Sequence, residues 1–371
     1  AARVARHYRV AGRLDEASEW FIIAGREART TEHFPELFES LEALDACLEE
    51  LEVPEDDPRR GWYRYIDIAG RFNERSLAET WELASALIEE SDERGWHDVG
   101  TEARIAASTA LSGLGRFEQA RTLCRDAADR YEEEGSRIDY ARALGKLGFI
   151  TTYVRRPEEA RQLCEESLHI QIEEDDRSGQ ARNYDRLAYM LLDRAPEEAT
   201  AYYEKALLRA REQGMVEEQA HILDGMAHLA RNRGDLEAAR RGYEEAVTTF
   251  ATIGSPAEQM SRLNLALLDV MEGKLERALA ALHPAVELFE RYGVLTYAMH
   301  ARATRVHCLL RLGKPGADED IEALEAAYAD TPTHTPAILE QIEAAIPHSA
   351  DEQLTERLQA FASVQRDGLE A

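Results

Sequence analysis

An alanine returns along this chain at a nearly fixed interval, and that interval constrains the fold more than any other feature. Ala120, Ala160, Ala199, Ala239 and Ala278 stand 40, 39, 40 and 39 residues apart. A period of this size marks stacked supersecondary units. The stretch Ile222 to Val247 shows one unit whole: two amphipathic helical patterns flank a Gly234-Asp235 turn, and Ala227, Ala239, Tyr243 and Ala246 fall where two helices must touch. Each recurring alanine follows a breaker, at Gly115-Arg116-Phe117, Arg156-Pro157-Glu158, Ala195-Pro196-Glu197, Gly234-Asp235-Leu236 and Gly273-Lys274-Leu275. Glycine ends a first helix in a left-handed conformation and proline suits the first turn of a second, so both chemistries build the same corner. Twelve residues before the alanine stands another small residue, Ser108, Gly148, Ala227 or Ala266, with Ala188 eleven before Ala199. Small side chains at that crossing let paired helices approach to roughly 8 to 10 Å. Leu123, Tyr203, Tyr243 and Leu282 are expected to fill the space toward the neighbouring pair. No pair buries its apolar stripe alone, so several must stack.

The order small residue, alanine, aromatic residue or leucine, second alanine (Ala239, Tyr243, Ala246) resembles the tetratricopeptide repeat, in a long form of about 40 residues rather than the commoner 34. The resemblance covers nearly the whole chain and implies an all-α, right-handed solenoid of about seven helix pairs closed by a helical C-terminal cap. Similar long repeats occur in kinesin light chains, in cell-polarity adaptors, and in the sensor arms of bacterial signal-transduction ATPases and maltose-regulator-type activators. A shorter likeness lies at the start. Ala5-Arg6-His7-Tyr8 followed by Gly12-Arg13-Leu14-Asp15-Glu16-Ala17 looks like the segment after the ATPase module in signal-transduction ATPases, which implies an effector domain upstream of Ala1. It reads equally as an ordinary first repeat.

With 371 residues and 44% apolar content, the chain is long enough for a solenoid whose core grows lengthwise, and is expected to form a single domain over 1–371. Within it, degenerate repeats occupy 1–52 and a loop with Pro54 and Pro58 occupies 53–60; regular repeats fill 61–330 and a helical cap 331–371. Thr80, forty residues before Ala120, keeps the register through that loop. Ser255-Pro256-Ala257-Glu258 has the spacing of a capping box, Thr331-Pro332-Thr333-His334-Thr335-Pro336 is a break, and Ser349-Ala350-Asp351-Glu352 is expected to cap a last helix ending near Val364. No apolar run approaches the roughly 18 residues of a membrane span, so no membrane partner and a cytoplasmic setting are expected. Cys47, Cys124, Cys164 and Cys308 show no C-x-x-C spacing and read as buried, reduced thiols. A formal charge of −28 opposes nucleic acid as a partner of the bulk surface.

The resemblance places the first helix of each pair on the concave face. Stepping along one helix face gives Arg142, Lys146, Phe149 and Tyr153, then Arg182, Arg186, Tyr189 and Asp193, then His221, Gly225, His228 and Asn232. Cationic and aromatic residues together in so acidic a chain form a candidate site for a protein or peptide with acidic groups. The same cations also read as partners of acids on neighbouring helices. On the groove reading, reversing Arg182 and Arg186 to glutamate should abolish binding with helicity and melting unchanged. Glu89-Glu90-Ser91-Asp92-Glu93, Glu132-Glu133-Glu134 and Glu173-Glu174-Asp175-Asp176 fall near the ends of second helices and are expected to form a solvated acidic ridge. Chemistry is missing elsewhere. Gly145-Lys146, Gly273-Lys274 and Gly313-Lys314 do not complete a phosphate-binding loop, and His221/His228 and His300/His307 are seven apart rather than four. No G-x-S-x-G, kinase or zinc-protease motif occurs, so neither metal, cofactor nor catalytic residue is expected.

Overall fold

A computed structural model describes residues 1–154, 156–332 and 335–370. Thr333 and His334, inside the expected break, lie outside the described residues. The chain opens with α1 (Ala2–Val10), α2 (Leu14–Thr30) and α3 (Phe34–Glu50). Seven pairs follow: α4 (Pro58–Gly70) with α5 (Leu77–Arg94), α6 (His97–Gly113) with α7 (Phe117–Glu134), α8 (Arg137–Thr152) with α9 (Pro157–Glu173), and α10 (Arg177–Leu191) with α11 (Pro196–Glu212). The last three are α12 (Val216–Asn232) with α13 (Leu236–Ile253), α14 (Glu258–Met271) with α15 (Leu275–Tyr292), and α16 (Leu295–Leu312) with α17 (Ala317–Asp330). Helices α18 (Pro336–Ala345) and α19 (Glu352–Glu370) close the chain. Among the described residues there is no strand. The fold is the all-α helical-repeat solenoid that the alanine interval implies. The helices parcel into two compact units: Ala1–Ser112 with Arg116–Gly225, and Gly113–Gly115 with Met226–Ala371.

The five periodic alanines are all 0% exposed, and Thr80 is as deeply buried. In the first unit a Cβ on Gly148 would stand 2.6 Å from Cys164 Sγ and 2.8 Å from the Ala160 carbonyl oxygen, so only glycine permits that crossing. Tyr203 is buried against Gly225, where an added Cβ would meet its hydroxyl at 2.5 Å. Leu123 is only partly buried. Four residues after the alanine, Cys124 and Cys164 fill the place that Tyr203 takes in the next repeat, and both thiols are free and buried. Ion pairs tie successive second helices, Arg121 to Glu159 at 2.8 Å and Arg161 to Glu198 at 3.4 Å.

In the second unit Ala227, Ala239, Tyr243 and Leu268 share one buried cluster. The corner between α12 and α13 is made as its sequence suggests: Gly234 has φ of 79°, and Asp235 accepts a hydrogen bond from the Ala238 amide at 2.9 Å. Asp320 is fully buried and accepts from Arg302 and Arg305, each at 2.6 Å. The terminal helices turn Ile338, Ile342, Leu354, Leu358 and Phe361 inward against Met299, Val306 and Leu324.

One helix start differs from expectation. Ser255 Oγ accepts from the Ala257 amide and its carbonyl from the Glu258 amide, so a turn forms first and α14 begins after Pro256. At the last helix the cap is Asp351, accepting from the Leu354 amide at 2.8 Å, and the helix continues to Glu370. The acidic segments are also less free than expected. Glu90 pairs with Arg64, Asp92 with Arg104, and Glu173 and Glu174 with Arg137. Asp176 is buried and serves as N-cap of α10 through the Gly179 amide. Among the described residues, no helix is long and apolar enough to cross a membrane.

Candidate recognition face

In the first unit α8 and α10 lie side by side and carry their candidate residues in two layers. The outer layer is aromatic. Phe149 meets Tyr153 edge-on at 5.4 Å and Tyr189 at 5.9 Å, the Tyr153 and Tyr189 hydroxyls are 3.5 Å apart, and Phe117 stacks on Tyr153 at 4.7 Å. Tyr153 and Tyr189 remain about two-fifths exposed, at 41% and 39%. Consecutive repeats bring these rings together because each lies on the same helical face one period on.

The inner layer is cationic. Lys146 donates to Thr109 Oγ1 at 2.5 Å, and Arg186 to Asn183 Oδ1 at 3.4 Å. Among the described residues neither has a carboxylate at ion-pair distance. Burial brings the Lys146 ammonium down to about 8, and the nearby guanidinium charges of Arg186, Arg29 and Arg182 act in the same direction. Burial likewise pulls the Arg186 guanidinium below its usual range, with Arg182 adding to the effect and the more distant Glu218 and Asp185 carboxylates opposing it. The Asp185 carboxyl on the same helix is pushed up by burial, and by the neighbouring Glu218 and Asp224 carboxylates.

Arg142 and Arg182 are differently placed. Arg142 grips Asp176 at 2.9 and 3.1 Å, tying α8 to the start of α10. It also lines a cavity of about 600 Å³ with Arg26, Arg29, Tyr65, Glu102 and Asp139. Arg182 Nη2 donates to the Thr30 carbonyl at 2.8 Å and meets Glu32 at 3.2 Å, while its Nε faces Glu218 at 3.6 Å. Reversing Arg182 and Arg186 to glutamate is therefore expected to lower the melting temperature as well, since one would lose these contacts and the other would add an anion beside Asp185. The acid-pairing reading holds for Arg142 and Arg182; Lys146 and Arg186 stand apart from it.

His221 lies in the first unit, whereas His228 and Asn232 follow Gly225 and belong to the second. There His228 Nε2 sits 2.6 Å from Arg231. Burial, with the Arg231 charge acting in the same direction, brings His228 and His300 each down to about 4. Sequence reasoning missed Phe117, Arg29 and the buried Asn183, which donates to Ser167 Oγ at 2.5 Å and Gln171 Oε1 at 2.8 Å. Phe117 was within reach, two residues after the corner glycine Gly115, but nothing in its spacing distinguishes a face ring from a core ring.

No protein-family model matches the chain, and no curated protein matches its sequence. Its backbone is similar to a Rap protein complexed with competence and sporulation factor, at TM-score 0.70 and 15% identity over 95% of this chain and 97% of that one. It is also similar to NprR in complex with its cognate peptide NprX, at TM-score 0.61 and 14% identity over 94% and 98%. A signal transduction ATPase with numerous domains from Pyrococcus horikoshii, bearing a tetratricopeptide repeat sensor, aligns at TM-score 0.55 and 15% identity over 89% of this chain. That match covers 52% of the ATPase, so the chain spans about half its length. Aspartyl phosphate phosphatase F from Bacillus subtilis aligns at TM-score 0.54 and 14% identity over 94% and 93%. One fold thus serves proteins with different names and tasks. The chain shares the tetratricopeptide-type repeat fold of these proteins.

Proposed function

We propose that this chain is a non-catalytic recognition scaffold that binds a peptide or extended protein segment along the α8–α10 face of its first unit. One observation carries the reading: the exposed pair Tyr153 and Tyr189, backed by Phe117 and Phe149, stands on the helices that hold Lys146 and Arg186 without a carboxylate partner. Desolvating a cation without an opposite charge is unfavourable. An acidic group on the ligand offsets that cost, and the rings supply rigid contact area. Arg142, Arg182 and His221 border this face. The peptide-bound Rap and NprR structures support the reading by analogy of fold.

The setting is a cytoplasmic bacterial signalling protein, without nucleic-acid or membrane partners. The repeats act either as the sensor arm of a larger ATPase or kinase, in line with the partial match to the Pyrococcus protein, or as a free-standing peptide-responsive regulator, in line with the near-complete overlap with Rap and NprR. A phosphate-binding loop encoded upstream of Ala1 separates the two. The binding proposal is tested by panning a random peptide library on the full chain. Enriched peptides are expected to combine acidic with aromatic or aliphatic residues, and to bind Y153S/Y189S roughly tenfold more weakly or worse, with its helicity retained at the assay temperature. Enriched peptides that bind this variant as tightly as the parent would sink the proposal.

A further inference from the structure

The corner between α2 and α3 reaches across the first unit and places an acid on the candidate face. Glu32 Oε1 lies 3.2 Å from Arg182 Nη2, and Glu32 Oε2 accepts from the Glu218 amide at 3.1 Å, in the first turn of α12. A guanidinium facing a free helix-start amide is a receptor for a carboxylate. Asn73, from the corner after α4, donates to Glu217 on the same turn at 3.1 Å. These partners are 144 to 186 residues apart in sequence, so the contacts are made only by folding of the whole unit.

Glu32 is a costly occupant of that receptor. Its side chain is 7% exposed, and burial together with the Glu218 and Glu217 charges raises its affinity for a proton. Its backbone is left-handed at φ 62°, a conformation disfavoured for any residue with a Cβ. A carboxylate free of that backbone strain makes the same two contacts at lower cost.

We propose that the Arg182–Glu218 amide receptor is a carboxylate subsite of the recognition face, which Glu32 fills in the free protein and an acidic ligand fills in its place. The subsite rests on the peptide-binding reading above, and names the part of the ligand it takes: an acidic side chain or a terminal carboxylate. Release of Glu32 frees the α2–α3 corner from α12 and leaves the Arg182–Thr30 carbonyl hydrogen bond as its tie to α10, which links binding to movement of the N-terminal helices.

The test uses the full chain with two probes, acetyl-pentaglutamate amide, which offers only side-chain carboxylates, and acetyl-tetraglycine, which offers only a terminal one. Affinity is measured for the parent, E32Q and E32Q/R182Q, together with hydrogen exchange at the Glu218 amide. E32Q should bind at least one probe roughly fivefold tighter or more than the parent. That probe should restore protection to the Glu218 amide, and the R182Q addition should abolish both effects. The better probe tells side-chain from terminal carboxylate. Equal affinity of parent and E32Q for both probes, or binding by neither, overturns the subsite; so does a gain that survives R182Q. If that happens while library peptides still depend on Tyr153 and Tyr189, the recognition face stands and only the subsite falls. Should E32Q lose helicity, E32D replaces it, since the shorter side chain keeps the charge but does not span both contacts.

Discussion

Gly148 has no room for a methyl group. A Cβ there would press on Cys164 Sγ and on the carbonyl of Ala160, a backbone atom that does not move aside cheaply. G148A should therefore lower stability by about 1–3 kcal/mol in urea denaturation; an unchanged midpoint would mean the pair relaxes. Lys146 makes the opposite kind of prediction. Its folded pKa, brought down to about 8, lies below the ordinary lysine value, so the charged form disfavours folding below pH 8 and that penalty fades by about pH 10.5. K146M should melt at or above the parent at pH 7 while binding acidic peptides more weakly, and a variant that melts lower would show that the Thr109 contact dominates. At this scale the sequence was partly legible. The alanine positions announced themselves, but the residue filling the gap beside Ala120 was misread as Leu123, because cysteine and leucine look alike to an apolar pattern and only burial separates them.

Helices and their corners follow local rules, and these were the most readable parts. Gly234 with Asp235, and the prolines at Pro157 and Pro196, stand where helix-end chemistry requires. Ser255 failed as a cap because an earlier turn took its hydrogen-bonding groups, a competition that spacing alone does not decide. The tie between α8 and α10 shows what an element gains from a neighbour. Asp176 caps α10 and also holds Arg142. D176A should cost about 1–3 kcal/mol, and a double-mutant cycle with R142A should show coupling of roughly 0.5–3 kcal/mol; additive effects would mean the ion pair contributes nothing. In the second unit His228 and His300 are held neutral, each with its pKa lowered from 6.5 to about 4. A histidine depressed in the folded state favours folding above its unfolded pKa, and that contribution is lost as pH falls from 6.5 toward 4. Calorimetry between these limits should show the parent melting fall more steeply than that of H228Q/H300Q. Parallel slopes would place the acid sensitivity elsewhere.

For the molecule as a whole, the repeat interval disclosed the fold, whereas the face was only partly visible. Arg182 looked like its neighbours in the helical pattern, yet its partners Thr30 and Glu32 come from some 150 residues away, and no periodicity carries that information. Net charge acts on the same scale. With −28 overall, the field repels an acidic ligand at long range even where Lys146 and Arg186 attract it locally. Raising salt from about 10 mM to about 150 mM shortens the screening length from roughly 30 to 8 Å, so association of an acidic peptide should speed up, as stopped-flow mixing would register. A rate that falls with salt would mean local attraction governs the encounter. The most direct trial of the recognition face is hydrogen exchange of the full chain with and without a library-selected peptide. The face predicts new protection concentrated in residues 137–152 and 177–191; protection confined to the second helices of the pairs or to residues 226–370 would contradict it.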